Sequence, residues 1–471
     1  MTISLSFHGA AGTVTGSRHL VATSRSRVLF DCGLFQGLKA LRQRNWAAPA
    51  FDARSLDAVV LTHAHIDHTG YLPRLVKLGF DGPVYCTPAT AELLEILLMD
   101  SAHLQEEDAD YANRKGFSKH QPALPLYNTG DVERALRLVK PVEFDRWRDV
   151  GRGIRVRFQP VGHILGSAHV EADIRDGDEH TSVCFSGDVG RYGAALHADP
   201  DPAASAEAMV LESTYGDRTH DHRPLAEQLA GPFRKALNRG GTILIPAFAV
   251  GRAQLVTLIV RDLMATGVIP TVPVHIDSPM AADVTDLYAR YLGSEELDPG
   301  IGDPVRDKLF PRGVSIHRSV EESKKLNAQP GPRIIISANG MLTGGRVLHH
   351  LHRVLLEPKS LVVLVGYQAE GTRGRAMVDG AETVRLHGED VPIRCDFLAV
   401  DGLSAHADAD ELVRWAKSAP QRPRTVFLVH GEAGSSDTLA QRLRGDGFHT
   451  IVPRLEQRFA LDSRSNRWRE A

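Results

Sequence analysis

The sequence has few cysteines and no long apolar run. Its four cysteines, Cys32, Cys86, Cys184 and Cys395, show no CxxC pairing, which argues against a disulfide framework and a cysteine metal site and predicts reduced, buried thiols. No stretch approaches the roughly 20 apolar residues that a membrane span requires, and MTISLSFHGA lacks the layout of a secretory signal. We therefore expect a cytoplasmic protein with no membrane partner.

A surplus of basic residues is also missing. The 55 lysines and arginines are outnumbered by 58 aspartates and glutamates, so the formal net charge is -3. Proteins that bind nucleic acids usually carry positive charge that offsets the phosphates. Any nucleic-acid site in this chain is therefore expected to be a local groove rather than a broad basic surface.

The order of strand-like and helix-like runs indicates the fold class. The 471 residues suggest two or three domains, and short β-rich runs alternate with helical segments in the first third, which is typical of an α/β fold. The polar stretch HADPDPAASAEA predicts a connection near residue 205. A second α/β pattern, from AMVLEST to about Cys395, predicts a separate unit with a parallel sheet.

Histidine is plentiful, with 22 residues, and the most informative spacing is His63-Ala-His65-Ile-Asp67-His68 after the apolar run LDAVVLT. Positions i and i+2 of a strand share a face, so His63 and His65 are predicted to hold one metal ion together. Asp67 and His68 follow where a helix is expected to begin, and they can face a second ion. One histidine alone is usually a core residue, but four such residues in six positions predict a zinc site.

HxHxDH is the signature of the metallo-β-lactamase-fold hydrolases, and the sequence resembles this family. Asp31 in VLFDCG matches the aspartate that supports the metal-binding loop without ligating, whereas His163 in PVGHILGSAH and Asp188 in FSGDVG match metal ligands. Each alone has a plain alternative as a turn cap or loop histidine. His169 is a competing ligand that we treat as structural. The resemblance implies two Zn²⁺ ions, one held by His63, His65, His163 and Asp188, the other by Asp67, His68, Asp188 and His430.

Three later motifs resemble motifs A, B and C of the β-CASP branch: LESTYG with Glu212, SAHAD with His406, and LVHGE with His430. The stretches IPAFAVGRAQ, SANGMLTGGR and GYQAEGTRGR are similar to parts of the domain that this branch carries as an insertion. The resemblance implies an α/β protein in which residues 1–207 and 396–471 form a metallo-β-lactamase αββα sandwich. A parallel-sheet β-CASP domain at 208–395 interrupts it.

A histidine in motif C is a feature of RNA-directed members, so the chain resembles the pre-mRNA 3′-end endonucleases and RNase J-related ribonucleases. The resemblance implies hydrolysis of RNA, with single-stranded RNA and endonuclease cleavage favoured and with 3′-hydroxyl and 5′-phosphate products. The expected catalytic residues are Asp67, Glu212 and His406. His406 would donate a proton to the leaving 3′ oxygen while Glu212 orients its imidazole; helix capping beside Asp408 is the alternative.

Substrate contacts are less specific in the sequence. Gly-rich turns carry arginines whose guanidinium groups could bind phosphates, although solvated loop arginines are an equally good interpretation. The candidates are Arg252, Arg346, Arg373, Arg375 and Ser404, the first residue of SAHAD. The histidines of LHHLHR, His349, His350 and His352, are expected to form a helix face rather than a metal site.

Other functions stay open at this point. A DNA-processing β-CASP nuclease and a non-catalytic RNA-binding scaffold are the alternatives, whereas motifs A to C disfavour a small-molecule hydrolase such as a thioesterase. A homodimer is expected only from the general preference of proteins for twofold symmetry.

Overall fold

The computed structural model describes residues 3–116, 118, 120–221, 223–301, 314–366, 368, 370–400, 404–462, 465 and 467–471. The chain divides into two compact units. The first comprises Met1–Gly193, Asp199–Thr219 and His406–Ala471, and the second comprises Ala194–Ala198 and His220–Ala405. Within the described ranges, no helix combines the length and apolar character needed to cross a membrane.

The secondary-structure elements follow one another along the chain as three groups. Up to Thr219 the strands are β1 (Ser4–Phe7), β2 (His19–Ala22), β3 (Arg27–Phe30), β4 (Ala58–Val60), β5 (Val84–Cys86), β6 (Val139–Pro141), β7 (Arg148–Gly151), β8 (Ile154–Pro160), β9 (Ala168–Asp176), β10 (Glu179–Phe185) and β11 (Ala208–Glu212), and the helices are α1 (Lys39–Arg44), α2 (Ile66–Thr69), α3 (Leu72–Lys77), α4 (Pro88–Lys115) and α5 (Thr129–Leu136). From His220 to Ala405 the helices are α6 (Leu225–Asn238), α7 (Arg252–Ala265), α8 (Pro279–Arg290), α9 (Val320–Ala328), α10 (Val347–Leu355) and α11 (Arg373–Val378), and the strands are β12 (Thr242–Pro246), β13 (Val274–Asp277), β14 (Val314–Ile316), β15 (Arg333–Ser337), β16 (Leu361–Val365), β17 (Thr383–Leu386), β18 (Glu389–Pro392) and β19 (Asp396–Val400). The last group is α12 (Ala409–Ser418), β20 (Thr425–Val429), α13 (Ala433–Gly445), β21 (Thr450–Ile451), β22 (Arg458–Asp462) and β23 (Arg467–Glu470).

Two sheets face each other in the first unit. One has the strand order β23-β22-β1-β2-β3-β4-β5-β6 and the other β21-β20-β11-β10-β9-β8-β7. Aromatic rings fill the space between them: the Phe30 and Phe185 ring centroids are 3.9 Å apart, and those of Phe7 and Phe427 are 5.2 Å apart. Each fully buried ring contributes about 2 kcal/mol through the apolar area that it removes from water.

Helices cover the outer face of each sheet. Leu72 and Leu94, from α3 and α4, are fully buried in a cluster with Val59 of the first sheet. Trp415 of α12 and Leu439 of α13 are fully buried in a second cluster that includes strands of the other sheet. The layers therefore form an αββα sandwich, which confirms the predicted fold class.

Side chains of β8 alternate between the core and the outer face of the sheet. Ile154 and Val156 are buried, whereas Arg155 and Arg157 point outward. Across the pair with β9, both arginines meet carboxylates at 3.0 and 2.6 Å. The period-2 pattern thus gives one face to the core and the other to solvent.

The second unit contains a six-stranded sheet with the order β14-β13-β15-β12-β16-β19. Every neighbouring pair in it is parallel. Phe233 of α6 and Val256 of α7 pack in a core on one side, and Leu326 of α9 and Leu351 of α10 pack in a core on the other. The predicted parallel-sheet unit is therefore present, with a small antiparallel hairpin of β17 and β18 beside it.

The boundaries between the units differ from the expected 207/208 and 395/396. Apart from the short segment Ala194–Ala198, the chain enters the second unit at His220 and returns to the first at His406. Strand β11, which carries AMVLE, pairs with β10 and β20 of the first unit, whereas β19 pairs with β16 of the second. Both strands are short, largely apolar runs that pair with parallel neighbours, so the sequence pattern does not tell which sheet each one joins.

Candidate metal centre

The candidate site lies where several strands of the first unit end. Asp31 follows β3, the HAHIDH motif follows β4, and Asp188 lies three residues beyond β10. Glu212 is the last residue of β11, and His430 comes directly after β20. Strands β3 and β4 are parallel neighbours in one sheet, and β10, β11 and β20 are parallel neighbours in the other. The carboxyl ends of both sets therefore bring together residues that are far apart in sequence.

The first donor cluster, defined as His63, His65, His163 and Asp188, brings four ligand atoms within 4.8 Å of one another. His65 Nδ1 lies 3.1 Å from Nε2 of both His63 and His163. Asp188 Oδ2 lies 3.4 Å from His63 Nε2 and 3.6 Å from His163 Nε2. The predicted strand position of His63 and His65 was wrong, because β4 ends at Val60 and both residues lie in the loop that follows.

The second donor cluster is Asp67, His68 and His430. His430 Nε2 lies 3.4 Å from Asp67 Oδ2. The other oxygen of Asp188, Oδ1, lies 3.2 Å from His68 Nε2 and 3.6 Å from His430 Nδ1. Asp188 therefore presents one oxygen to each cluster, which is the arrangement expected of a bridging carboxylate.

Unsatisfied polar atoms test whether these residues fit a metal. His68 Nε2, His430 Nε2 and Asp188 Oδ1 are buried and have no hydrogen-bond partner among the described residues. A buried donor or acceptor left in this state costs about 1 to 3 kcal/mol, so such atoms need a partner. Imidazole nitrogen and carboxylate oxygen are the donors that zinc accepts in catalytic sites, and the residues therefore fit a zinc-type cation.

Asp31 and Thr62 orient two of the imidazoles. Asp31 Oδ2 lies 2.7 Å from His68 Nδ1, and since a carboxylate only accepts, Nδ1 must carry the proton. The Thr62 hydroxyl donates to Asp31 at 3.0 Å and lies 3.1 Å from His63 Nδ1. Both rings thus hold their Nδ1 proton away from the cluster and direct Nε2 toward Asp188, as do metal-ligating histidines whose other ring nitrogen is hydrogen-bonded.

The electrostatics of the site centre on Asp188, which is 1% exposed. Burial alone would raise its pKa, but the neighbouring imidazoles of His430, His68 and His63 lower the pKa well below the usual value. Burial would lower the pKa of His68, yet Asp188 and then Asp31 raise it well above normal. Negative charge on Asp188 and positive charge around it therefore stabilise each other.

Glu212 and His406 form a pair beside the first donor cluster. His406 Nδ1 lies 3.2 Å from both Glu212 oxygens and 3.9 Å from Asp188 Oδ2. Glu212 Oε1 also accepts a hydrogen bond from Val189 N at 2.6 Å. Glu212 is completely buried, and it also forms a third metal-type group with Asp188 and His430, although both of its oxygens already contact these donors.

The helix cap that was the alternative role for His406 belongs to Asp408. The Asp408 side chain accepts from the backbone N–H groups of Asp410 and Glu411, and Glu411 reciprocates in a capping box. His406 instead forms an isolated bridge with Gly190. Helix α12 therefore begins without using the His406 imidazole.

The other histidines singled out in the sequence lie outside these clusters. His169 Nε2 lies 3.2 Å from Gln159 Oε1, its ring packs against Trp415, and burial lowers its pKa to about 3. His350 on α10 is fully buried with Nε2 2.6 Å from Asp277 Oδ2. None of the LHHLHR histidines joins a metal-type group among the described residues.

The arginines proposed as phosphate contacts form interactions within the second unit. Arg346 donates to Asp277, Arg373 to the carbonyl of Arg385, Arg375 to Asp379, and Arg252 lies 4.6 Å from the Phe248 ring centroid. Ser404 is buried. RNA binding by these residues stays a prediction.

The cysteine prediction holds for three residues. Cys32, Cys86 and Cys184 are buried and free, but Cys395 is only partly buried. Burial raises the pKa of Cys32 and Cys184 to about 12, so both thiols stay protonated.

Sequence reasoning missed the residues that support the HAHIDH loop. The Asp67 carbonyl accepts from Ser17 N at 2.8 Å, and Cys32 N donates to the His68 carbonyl at 2.6 Å. A Cβ on Gly33 would lie 1.6 Å from the Asp67 carbonyl oxygen. Two sequence signals could have indicated this support: Gly33, two residues after Asp31 in FDCG, and Thr62, directly before HAHIDH.

An αββα sandwich with histidines and aspartates at its strand ends defines the class of metallo-hydrolases. Three family models match this chain: Metallo-beta-lactamase superfamily at 12–247, Beta-Casp domain at 253–377, and Zn-dependent metallo-hydrolase RNA specificity domain at 390–453. Together they cover most of both units.

Two relatives match this chain over nearly their whole length, and a third is longer. The chain is 39% identical to Ribonuclease TTHA0252 of Thermus thermophilus over 90% of this chain and 92% of that protein. It is 31% identical to the RNase J-like protein of Methanocaldococcus jannaschii (93% and 95%) and 32% identical to Transcription termination factor FttA of Methanosarcina mazei (92% and 67%). The chain belongs to the β-CASP branch of the metallo-β-lactamase superfamily.

A solved structure of a protein of unknown function from Enterococcus faecalis is similar in fold. The TM-score is 0.53 with 16% sequence identity, over 97% of this chain and 99% of that chain. This likeness supports the arrangement of sheets and helices alone.

Gly33→Ala tests the packing of the metal loop. The added methyl group would overlap the Asp67 carbonyl, and overpacking of this kind costs about 1 to 3 kcal/mol. We expect weaker metal binding, measured by elemental analysis after dialysis. Gly434→Ala is the matched control, because nothing lies within 4 Å of its added Cβ; equal metal content in both variants would contradict the close-approach argument.

Asp31→Asn tests the orientation of His68. The variant keeps the shape of the side chain but replaces one accepting oxygen by an NH₂ group, which weakens the contact with His68 Nδ1. Loss of such a partner lowers metal affinity about 10- to 100-fold, which competition with a chelator measures. Asp57→Asn, at an exposed carboxylate that accepts from Arg27 N, should leave the affinity unchanged. An Asp31→Asn variant with wild-type affinity would remove Asp31 from this role.

Proposed function

We propose that this chain is a zinc-dependent ribonuclease that hydrolyses RNA phosphodiester bonds, with endonuclease cleavage favoured and 3′-hydroxyl and 5′-phosphate products. The observation that carries the proposal is the position of Asp188, whose two oxygens face two separate clusters of imidazole and carboxylate donors. The pair of Glu212 and His406 lies beside it.

Two zinc ions fit this donor set. His63, His65, His163 and Asp188 would hold one, and Asp67, His68, Asp188 and His430 would hold the other. When bound, such ions polarise a phosphate oxygen and lower the pKa of water near neutrality. Asp67, on the exposed side of its cluster, is the ligand carboxylate nearest to solvent.

In this proposal His406 supplies the proton, and Glu212 orients its ring. The departing 3′ oxygen must gain a proton as its bond to phosphorus breaks, and an imidazolium is suited to donate it near neutral pH. Glu212 lies 3.2 Å from His406 Nδ1 with both of its oxygens, which orients the ring, and we assign the proton transfer to Nε2, the other ring nitrogen. His406 is therefore the general acid, and Glu212 orients it.

The choice of RNA as substrate rests on three observations. Motif C carries His430, as RNA-directed members of the branch do. A model described as an RNA specificity domain matches residues 390–453. Two of the relatives are named as a ribonuclease and an RNase J-like protein. With a net charge of -3, contact with a single strand through local groups such as Arg252, Arg346, Arg373, Arg375 and Ser404 is favoured over a broad basic surface.

His406→Ala separates proton donation from metal binding. Because His406 is not in either donor cluster, the variant should retain both zinc ions while RNA cleavage falls by about 10² to 10⁴-fold, the usual contribution of general acid catalysis. His180→Ala is the control, since His180 is exposed and paired with Asp173. Unchanged turnover by His406→Ala would require another proton donor.

Circular RNA tests the mode of cleavage. A closed circle has no end, so only an endonuclease can linearise it, and we expect a linear product whose 5′-phosphate supports ligation. A single-stranded DNA circle of the same sequence serves as the comparison. Zinc-loaded protein that cuts neither circle but degrades linear RNA would be an exonuclease, and preference for the DNA circle would replace RNA by DNA as the substrate.

A further inference from the structure

Thr214, two residues after Glu212 in motif A, contacts His430 twice. Its hydroxyl oxygen lies 3.1 Å from His430 Nδ1 and donates to the His430 carbonyl oxygen at 3.0 Å. Thr214 is 2% exposed and His430 is 3% exposed. One buried hydroxyl therefore meets both the ring and the main chain of a candidate metal ligand.

The Thr214 hydroxyl has a single proton, which it donates to the His430 carbonyl oxygen. A carbonyl oxygen only accepts hydrogen bonds, so the Thr214 proton must point to it, and the Thr214 lone pair then faces His430 Nδ1. An accepting oxygen at 3.1 Å favours a proton on Nδ1. In the neutral ring Nε2 is then unprotonated, and this nitrogen lies 3.4 Å from Asp67 Oδ2. A metal ion requires that lone pair.

The backbone of His430 makes the contact with the carbonyl important. His430 has a φ of 51°, a left-handed conformation that non-glycine residues rarely adopt and that persists only where neighbouring groups hold it. His430 N donates to the Ala10 carbonyl at 2.7 Å, and the His430 carbonyl accepts from Ser213 N at 3.4 Å and from the Thr214 hydroxyl at 3.0 Å. These contacts hold the backbone position from which the His430 ring reaches the second donor cluster.

We propose that Thr214 is a positioning residue that fixes the Nδ1-protonated tautomer of His430 and so sets the zinc affinity of the second donor cluster. This inference rests on the proposed ligand set. Thr62 occupies the same relation to His63 in the first donor cluster, because its hydroxyl donates to Asp31 and lies 3.1 Å from His63 Nδ1. Each cluster thus has one imidazole whose tautomer a threonine sets.

The main chain of Thr214 has a different partner, which makes a clean test possible. Thr214 N donates to Glu212 Oε2 at 3.3 Å, and this contact survives any change of side chain. Thr214→Val replaces the hydroxyl by a methyl group of similar size, whereas Thr214→Ser keeps the hydroxyl. The pair of variants therefore separates the hydrogen bond from the packing volume.

The experiment is a zinc titration of the zinc-free protein against a chelator. Thr214→Val should bind one zinc with wild-type affinity and the other about 10- to 100-fold more weakly, the effect usual for loss of a partner that orients a ligand. Thr214→Ser should bind both as the wild type does. Wild-type binding by Thr214→Val would overturn the proposal, and so would equal losses in both variants, since packing would then be the cause.

Nuclear magnetic resonance of ¹⁵N-histidine-labelled, zinc-free wild-type protein gives an independent readout if Thr214→Val does not fold. The His430 signals, assigned by their absence from His430→Gln, should show the proton on Nδ1. A proton on Nε2 alone would overturn the proposal. Cleavage of RNA by the wild type tests the proposed function separately: a protein that binds zinc as expected but leaves RNA intact would contradict that function and leave the role of Thr214 standing.

Discussion

The buried carboxylate of Asp188 is the constraint on which the site depends. Five imidazoles lie within 3.9 Å of its two oxygens: those of His63, His68, His163, His406 and His430. A carboxylate removed from water costs several kcal/mol unless positive or polar groups surround it. The fold meets this requirement by placing histidines from the early and late parts of the sequence around one carboxylate. Some of these imidazoles face Oδ2 of Asp188 and the others face Oδ1.

The sandwich provides the rigidity that such an arrangement needs. Strands β3, β4, β10, β11 and β20 all end at the site, and residues of these strands pack in one buried cluster between the two sheets. The residues just beyond two of these strands, Asp31 and His430, have φ values of 58° and 51°. Unusual backbone at functional positions persists where surrounding contacts over-determine it, and here threonine hydroxyls and main-chain hydrogen bonds supply those contacts.

The sequence predicts the fold class because its cues are local. HAHIDH packs four donors into six positions, and the apolar runs alternate with helical ones over both units. Three features escaped prediction for physical reasons. His63 and His65 lie in a loop, since β4 ends at Val60, two residues before the end of the run LDAVVLT. The short, largely apolar runs of β11 and β19 do not show which sheet each strand joins. The partner of an imidazole Nδ1, such as Thr214 for His430, depends on contacts across the fold that spacing does not encode.

The central claim is that Asp188 is shared by two metal ions held in the two donor clusters. A crystal of the zinc-loaded protein, with data collected on both sides of the zinc absorption edge, tests it directly. The account predicts two anomalous peaks, each beside a different oxygen of Asp188 and about 3.5 to 4 Å apart, as in two-metal sites. A single peak, or peaks remote from Asp188, would contradict it.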